Sequence, residues 1–325
     1  MRTVVCLTML CISVLLSAHP PWGIVVDDEQ NIYFADLNHN EMGSVWKLTP
    51  DGKLKLLLRN FHAHNVSLDE NQHLITAHGE GDHLMLRLLP NGKHDTLVHK
   101  FHHDDFFGGN CTFSPGGSIL FGIDHYIWTI LPNGEKQKAS DQYLEWNQAL
   151  FVGKDGTIFA PDIGIEEGAL YQIQADGKAT IIATHLISKL DRPRDKHNDV
   201  LLGMGQDENG LVYICELAGK RIIQIDENTE TNTFYVSENN WFPTAIYFHN
   251  QEVYILEYKY AKVGMEGPQI IKIDPQGQKS LIFNYEAYHN RDQSIQKSKN
   301  QGRTNWWLLG FVIFGGLFFL FIRLK

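Results

Sequence analysis

A short alternating strand followed by a tight turn recurs six times along this chain, and this repeat constrains the fold more than any other feature. The centres of the copies lie 40 to 52 residues apart, and five copies precede a turn tripeptide that ends in glycine. Glycine there supplies the positive φ that a tight hairpin needs. Repeats of this length indicate an array of similar units. The copies are SVWKL (44–48), LMLRL (84–88), YIWTI (126–130), LYQI (170–173), RIIQI (221–225) and QIIKI (269–273).

Each copy follows a hairpin of two apolar strands and precedes a fourth strand, so one repeat contains four strands. The clearest hairpin is WGIVVDDEQNIYFAD (22–36), and a clear fourth strand is TNTFYV (231–236). Four antiparallel strands every 40 to 45 residues or so are typical of a propeller blade, which buries its faces only against neighbouring blades. The sequence therefore predicts an all-β fold, a six-bladed β-propeller over residues 19–285. The short segment before Trp22 favours ring closure without a strand exchanged between the first and last blades.

The first repeat, in which WGIVVDDEQNIYFAD is followed by SVWKLTPDGK, resembles an NHL-type repeat. The six repeats together are similar to six-bladed propellers of the gluconolactonase (regucalcin)-like, strictosidine synthase-like and paraoxonase superfamily. The resemblance implies a calcium ion at the axis of the central channel, held by Asn, Asp and Glu side chains from successive blades. It does not select an activity, because this architecture carries both enzymes and pure binding modules.

The charge balance and the mean hydropathy exclude two broad classes of protein. The formal net charge is -10 with histidine neutral, which is the wrong sign for a polyanion binder and excludes nucleic acid as the expected partner. The mean hydropathy of -0.24 excludes a polytopic membrane protein. The expected partners are a small-molecule ligand or a partner protein at the channel mouth.

Two apolar segments at the ends of the chain predict its destination. Residues 1–18 combine an arginine, a short apolar run of ten residues (7–16) and a small-residue cleavage point, which is typical of a secretory signal peptide. Residues 306–322 are 17 residues without a charged or polar side chain, which predicts one transmembrane helix. A polar linker (286–305) precedes this helix, and a basic end (323–325) favours a cytoplasmic C-terminus. We expect an exported, single-pass membrane protein with its propeller on the extracytoplasmic side; removal of the tail by a sorting protease is the alternative.

Carboxylates are predicted to meet at the mouth of the channel where each inner strand begins and each second strand ends, here called the upper mouth. Like charges at short range disfavour ionisation, and a bound cation would relieve that repulsion. The alternative is that each carboxylate caps nearby backbone amides and joins neighbouring blades. Five of the six second strands end in a carboxylate, namely Asp36, Asp124, Asp162, Glu216 and Glu257.

Calcium is the predicted cation, because it prefers six to eight oxygen ligands from carboxylates and amides. The resemblance places its Asn-ligand position on Asn65 and Asn110. The sequence departs from the lactonases where their blade-one Glu and blade-five Asp would fall, near Trp22 and Gly203, which puts the lactonase mechanism in doubt. The predicted metal ligands are Asn65, Asn110, Asp124, Asn147, Asp162 and Glu216.

Two further features carry hypotheses about chemistry. His64 and His78 meet at one end of the same predicted hairpin, where they could bind a transition metal; solvated loop histidines are the alternative. About a dozen extra residues near His185 to Val200 lengthen the connection between blades four and five. That insertion is interpreted as a lid or partner-docking loop, or as a tolerated surface insertion.

Two functions stay open. The first is a cation-dependent ester or lactone hydrolase, in which the metal polarises the carbonyl and His64 or Glu257 is the general base. The second is a non-catalytic NHL-type propeller that binds a small ligand or a partner protein at the same mouth. The missing lactonase ligands favour the second function, and the ionisable groups predicted at the mouth favour the first.

Overall fold

The computed structural model describes residues 20–261 and 265–291, and these residues form a six-bladed β-propeller. Each blade is a four-stranded antiparallel sheet of four consecutive strands, so no strand is exchanged between blades, as predicted. The first three blades contain β1 (Ile24–Val26), β2 (Ile32–Asp36), β3 (Ser44–Leu48) and β4 (Leu54–Arg59); β5 (Val66–Leu68), β6 (Leu74–His78), β7 (His83–Leu88) and β8 (His94–Lys100); and β9 (Cys111–Phe113), β10 (Ile119–Ile123), β11 (Tyr126–Ile130) and β12 (Lys136–Lys138).

The second half of the ring repeats the same order of strands. All six copies of the alternating strand found in the sequence are the third strands of their blades, which confirms the repeat. The last three blades contain β13 (Phe151–Val152), β14 (Ile158–Asp162), β15 (Ala169–Ile173) and β16 (Ala179–Ala183); β17 (Leu201–Gln206), β18 (Val212–Glu216), β19 (Arg221–Ile225) and β20 (Thr231–Val236); and β21 (Trp241–His249), β22 (Glu252–Tyr260), β23 (Met265–Ile273) and β24 (Lys279–Asn284).

The apolar core lies between blades, which is why the repeat is stable only as a ring. One cluster packs blade two on blade three around Phe106 and Phe121, and another packs blade five on blade six around Cys215 and Ile255. Each such cluster joins the faces of successive sheets, and the burial of apolar area is the main favourable term in folding. No blade could bury both of its faces alone.

Blade six closes the ring against blade one. Inner strand β21 contacts β1, and the Tyr258 hydroxyl donates to the Ala35 carbonyl at 3.1 Å. Residues 285–291 are helical, and the Tyr288 hydroxyl accepts a hydrogen bond from the Leu54 amide at 3.2 Å. Tyr285 lies edge-on to Trp46. The described part of the predicted linker, residues 286–291, therefore packs against blade one.

Tight turns and close packing explain two of the glycines. Gly52 has a φ of 78°, which confirms the predicted hairpin between β3 and β4. A Cβ on Gly23 would lie 2.4 Å from the Val66 amide nitrogen, so only glycine allows β1 to approach blade two this closely.

The predicted signal peptide and transmembrane segment lie outside the described residues. Among residues 20–261 and 265–291, no helix is long and apolar enough to cross a membrane.

Candidate functional site

Residues that precede the inner strands of blades one to four form a hydrogen-bonded arc at the upper mouth. The Trp22 amide donates to the His64 carbonyl at 2.7 Å, and the Asn65 Nδ2 donates to the Cys111 carbonyl at 3.3 Å. Each contact joins one blade to the next, so the arc is part of the ring's own bonding. We call it the polar arc, and its members are Trp22, His64, Asn65, Asn110, Asn147 and Gln148.

The three asparagines predicted as metal ligands all belong to this arc, where they bridge blades. Asn110 Nδ2 donates to Asn147 Oδ1 at 2.7 Å, and Asn147 Nδ2 donates to the Pro161 carbonyl at 2.8 Å. Asn65 Oδ1 accepts from the Val66 amide at 2.9 Å. Two of the three amide oxygens are thus already engaged by the protein.

Three atoms of the arc are enclosed and have no hydrogen-bond partner among the described residues. They are one donor, Trp22 Nε1, and two acceptors, Asn110 Oδ1 and Gln148 Oε1. The side chains are almost fully buried, with exposed fractions of 4% for Trp22, 5% for Asn110 and 8% for Gln148. An unsatisfied buried polar group costs about 1–3 kcal/mol, so these atoms favour the binding of a polar molecule.

Buried carboxylates predicted to face a cation cap loops of the protein. Asp162, at the end of β14, is 1% exposed. Its Oδ1 accepts from the amides of Trp146 and Gly164, both at 2.9 Å, and its Oδ2 accepts from the Glu145 amide at 2.7 Å. Asp162 therefore holds the loop that leads into Asn147 and the inner strand of blade four.

Glu216 performs the same task in blade five, where it anchors the connection from blade four. Its Oε1 accepts from the amides of Ser188 and Gly219, at 2.9 and 2.8 Å. Its Oε2 accepts from the Ser188 hydroxyl and the Arg221 Nε, both at 2.8 Å. The carboxylate is completely buried.

Glu257, predicted as a possible general base, joins blade six to blade five. Its Oε1 accepts from the hydroxyls of Tyr235, at 3.0 Å, and Ser237. Its Oε2 accepts from the Gln269 Nε2 at 2.7 Å. Burial and the neighbouring Glu257 carboxylate raise the pKa of Tyr235, which keeps this hydroxyl a donor. Both oxygens of Glu257 are thus engaged.

The two remaining acidic strand ends differ from each other. Asp36, also completely buried, accepts from His39 Nδ1 at 2.7 Å and from Trp46 Nε1 at 3.1 Å. Asp124 is exposed and lies with His125 in the turn after β10, where both residues have positive φ. The structure therefore separates Asp124 from the buried carboxylates.

A calcium ion held by Asn65, Asn110, Asp124, Asn147, Asp162 and Glu216 stays a prediction. Calcium takes six to eight oxygens, several of them carboxylate, whereas Asp162 and Glu216 already accept three and four hydrogen bonds. Over the described ranges, no group of three or more His, Cys, Asp or Glu side chains is arranged to hold a metal ion. Within the part of the chain that the structure describes, no third His, Cys, Asp or Glu completes a metal site with the predicted pair His64 and His78.

Histidines do cluster at the upper end of blade two. The rings of His62 and His64 lie edge to face with centroids 4.7 Å apart, and His62 Nδ1 lies 3.1 Å from Glu80 Oε2. Burial lowers the pKa of His62, His78 and His83 below the ordinary histidine value. These side chains are therefore held in their neutral form at pH 7.

The central channel below the arc is a narrow, mostly apolar cavity of about 220 Å³. Asn65, Thr112 and Lys154 are among its few polar lining residues. In the described chain its lining contains no aspartate, glutamate or histidine. All six inner strands contribute to it, through residues such as Ile24, Val66, Phe113, Phe151, Met204 and Tyr247.

Sequence reasoning missed the two side chains of the arc that most need a partner. From the sequence, Trp22 marks only the start of the first hairpin and the place of the missing lactonase carboxylate, and Gln148 carries no prediction. Their position immediately before an inner strand was the available signal. It could not show that their polar atoms are enclosed and unpaired, because burial depends on the neighbouring blades.

Comparison with known proteins identifies the fold. No protein-family model and no curated sequence matches the chain. Among solved structures, virginiamycin B lyase from Staphylococcus aureus is similar over 81% of this chain and 84% of its own, with 16% identity and a TM-score of 0.53. A gluconolactonase from Xanthomonas campestris is similar over 74% of this chain and 83% of its own, with 14% identity and a TM-score of 0.56.

A calcium-binding protein, regucalcin, from Agrobacterium tumefaciens is similar over 75% of this chain and 84% of its own, with 11% identity and a TM-score of 0.54. At identities this low, the structural similarity shows only the architecture and leaves the activity open, since one fold hosts many functions. The chain therefore has a six-bladed β-propeller fold, and its structural neighbours include gluconolactonase (regucalcin)-like propellers and virginiamycin B lyases.

Proposed function

We propose that this protein binds a small, hydroxylated molecule at the polar arc and that binding requires no metal. The observation that carries the proposal is the set of three enclosed, unpaired atoms, Trp22 Nε1, Asn110 Oδ1 and Gln148 Oε1. They offer one donor and two acceptors, and hydroxyl groups can both accept and donate. A ligand that satisfies all three recovers the free energy lost by burying them.

The side-chain groups of the polar arc support contact with an uncharged part of the ligand. Its members carry amide, indole and imidazole groups, and it includes no carboxylate. Binding sites commonly combine an apolar wall with a few polar groups, and the apolar central channel, which Trp22 and Asn65 of the arc help to line, supplies such a wall. This arrangement suits a sugar, a polyol or a sugar lactone.

The test is a binding screen on the full-length protein with glucose, glucitol and glucono-δ-lactone, each measured by the rise in melting temperature. We expect at least one of them to stabilise the protein, and EDTA not to change that effect. Gln148→Leu removes an unpaired acceptor and should abolish the stabilisation. Gln137→Leu, on the exposed strand β12, is the matched control and should retain it.

Hydrolysis of an ester or lactone is a second candidate, which the fold shared with a gluconolactonase favours. In this version His64, the imidazole of the arc, takes a proton from the water that attacks the carbonyl carbon. The bond between the carbonyl carbon and the ring oxygen then breaks, and the protonated His64 returns its proton to the leaving oxygen. The Trp22 indole N–H would donate to the carbonyl oxygen.

Acid release from glucono-δ-lactone, corrected for its spontaneous hydrolysis, separates the two functions. A pure binding protein is stabilised by the lactone without accelerating acid release. A hydrolase accelerates it, and His64→Gln then abolishes the acceleration, whereas Gln137→Leu does not. Acceleration that EDTA abolishes would contradict the metal-free site.

Export and anchoring are part of the proposal, and their support is the sequence of residues 1–18 and 306–322. Fusion of alkaline phosphatase after residue 291, with and without residues 1–18, tests export in a bacterial host. Phosphatase activity that depends on residues 1–18 is the expected outcome. Removal of residues 306–325 should move the propeller from the membrane fraction to the soluble fraction.

A further inference from the structure

The junction between blade six and blade one differs from the other five junctions of the ring. At each of those five, the chain itself passes from one blade to the next, for example through residues 139–150 between blades three and four. Blades six and one are the last and the first along the chain, so no connection ties them, and no strand is exchanged between them. This junction, called here the seam, is closed by non-covalent contacts, which must offset the chain entropy that closure costs.

A helical segment, residues 285–291, follows the last strand β24 and is called here the clasp. Its first turn is capped by Asn284 Oδ1, which accepts from the Ala287 amide at 2.9 Å. Glu286 Oε1 accepts from the amide of Gly267, a residue of β23, at 2.7 Å. The clasp is therefore fixed to blade six both by the chain and by its own hydrogen bonds.

Two tyrosines of the clasp reach across the seam to blade one. The Tyr285 ring is stacked on His39 with centroids 3.6 Å apart, and it lies edge-on to Trp46 at 5.8 Å. The Tyr288 hydroxyl accepts from the amide of Leu54, the first residue of the outermost strand β4, at 3.2 Å. The clasp thus holds blade one at two separate places.

The two rings that Tyr285 contacts on blade one are held by the same buried carboxylate. Asp36 Oδ2 accepts from His39 Nδ1 at 2.7 Å and from Trp46 Nε1 at 3.1 Å. Asp36 itself is completely buried at the end of β2. Because these rings are already ordered, docking of Tyr285 costs little further side-chain entropy on blade one.

Apolar contacts next to the clasp continue the seam into the core. Phe283, in the last turn of chain before the clasp, is 5% exposed. Its ring centroid lies 5.6 Å from that of Phe34 in blade one and 6.0 Å from that of Tyr288. Burial of these rings favours docking of the clasp without any exchange of strands.

We propose that the clasp closes the ring in the role that an exchanged strand would have, and that the seam opens locally when the clasp is detached from blade one. The inference goes beyond the proposed function and does not depend on what the polar arc binds. Local opening has its own free energy within a folded protein, and faster amide hydrogen exchange in the affected strands reports it.

Tyr285→Ala in the full-length protein tests the proposal, with hydrogen exchange read by mass spectrometry of peptide fragments. The amides of β2 in blade one and β22 in blade six should exchange at least about tenfold faster than in the natural protein, because the variant loses an aromatic pair and its apolar contacts. The amides of β10 and β14, in blades three and four, should keep their natural rates.

Tyr288→Phe is a milder second variant, which keeps the ring and removes only the hydroxyl that accepts from the Leu54 amide. It should speed exchange in β2 and β22 by about two- to tenfold, the effect of losing one hydrogen bond. It decides the question if Tyr285→Ala does not fold, and a melting curve of each variant shows whether it is folded.

Tyr143→Ala is the matched control, because Tyr143 makes the same kinds of contact at a junction that the chain crosses. Its ring is stacked on His125 with centroids 4.6 Å apart and lies edge-on to Tyr126 at 6.1 Å. Residues 139–150 still tie blades three and four together in this variant. Exchange in β10 and β14 should therefore stay at the natural rate.

Three results would overturn the proposal. The first is unchanged exchange in β2 and β22 of the folded clasp variants. The second is an increase of the same size in β10 and β14, because the variants would then weaken the whole ring and not the seam. The third is an equally large local increase at the junction of blades three and four in Tyr143→Ala, because the clasp would then act as an ordinary surface contact.

Discussion

Asn110 Nδ2 donates to Asn147 Oδ1 over 2.7 Å, so two residues predicted as ligands of one cation are hydrogen-bonded to each other. The bond joins blade three to blade four, and it leaves the Asn110 Oδ1 enclosed and unpaired. The same contact thus fixes the ring and presents an acceptor at the upper mouth.

The first prediction concerns calcium. Because Asp162 and Glu216 accept hydrogen bonds from the protein itself, neither EDTA nor millimolar Ca²⁺ should change the melting temperature of the purified protein by more than about 1 °C. The measurement is a thermal melt followed by circular dichroism. A calcium-dependent rise of several degrees would show that these carboxylates can leave their caps and bind the ion.

The second prediction compares two buried glutamines. Gln148 has an unpaired acceptor, so Gln148→Leu should leave the free energy of unfolding unchanged or raise it by about 1 kcal/mol. Gln269 donates to Glu257 at 2.7 Å, so Gln269→Leu should lower it by about 2–3 kcal/mol. Urea unfolding measures both. A larger loss for Gln148→Leu than for Gln269→Leu would contradict the assignment of Gln148 as an unpaired ligand-binding group.

The third prediction assigns Glu257 a structural role. Glu257→Gln replaces one carboxylate oxygen with an NH₂ group. Because all three hydrogen-bond partners of Glu257 are donors, this NH₂ group faces a donor and one bond is lost, which should lower the free energy of unfolding by about 2–3 kcal/mol. Glu266→Gln breaks an exposed pair with Lys259 and should cost less than about 1 kcal/mol. Urea unfolding of both variants provides the comparison.

Glu257 was also predicted as a general base, and the same variant tests that hypothesis. If the protein accelerates lactone hydrolysis, folded Glu257→Gln should keep the turnover of the natural protein, because both carboxylate oxygens are engaged in joining the blades. A folded variant without turnover would restore Glu257 to the mechanism.

The fourth prediction concerns pH. Burial lowers the pKa of His62, His78 and His83 in the folded protein, so the unfolded chain binds protons more readily as the pH falls through about 6.5. The stability associated with these histidines is therefore present above that pH and is lost as the pH falls below it. The free energy of unfolding should decrease between pH 7.5 and 5.5.

His78→Gln isolates one of these histidines, since His78 lies in the electrostatic field of His62, His83, Glu80 and Asp82. The variant should show a smaller decrease in stability over the same pH range. His94→Gln, on the exposed surface of β8, is the control and should keep the full decrease. Equal pH dependence in all three proteins would refute the role of the buried cluster.

The fold was predictable because its information is local and repeated. The strands SVWKL, YIWTI and RIIQI coincide with β3, β11 and β19, and the Gly52 turn has the positive φ expected of it. Alternation and turn residues act within a few positions of the chain. Six copies of the same pattern then leave a closed ring as the arrangement that buries every blade.

The site was predictable only in part. The sequence brought Asn65, Asn110 and Asn147 to one mouth, and the structure places all three in the polar arc. It also suggested a cation among Asp162, Glu216 and their neighbours, with backbone caps as the alternative. The structure shows the caps, because loops that follow or precede these strand ends turn their amides toward the carboxylates.

The sequence by itself therefore determined the number of blades, the order of strands and the residue types at the upper mouth. Only the tertiary structure decided which of those polar atoms have a hydrogen-bond partner among the described residues and which do not. A carboxylate and an amide look equally available in a sequence. The hydrogen-bond partners of these groups come from neighbouring blades and from the connections between blades. Both carboxylate oxygens of Glu257 therefore accept hydrogen bonds, whereas Gln148 and Arg194 have buried atoms without a partner among the described residues.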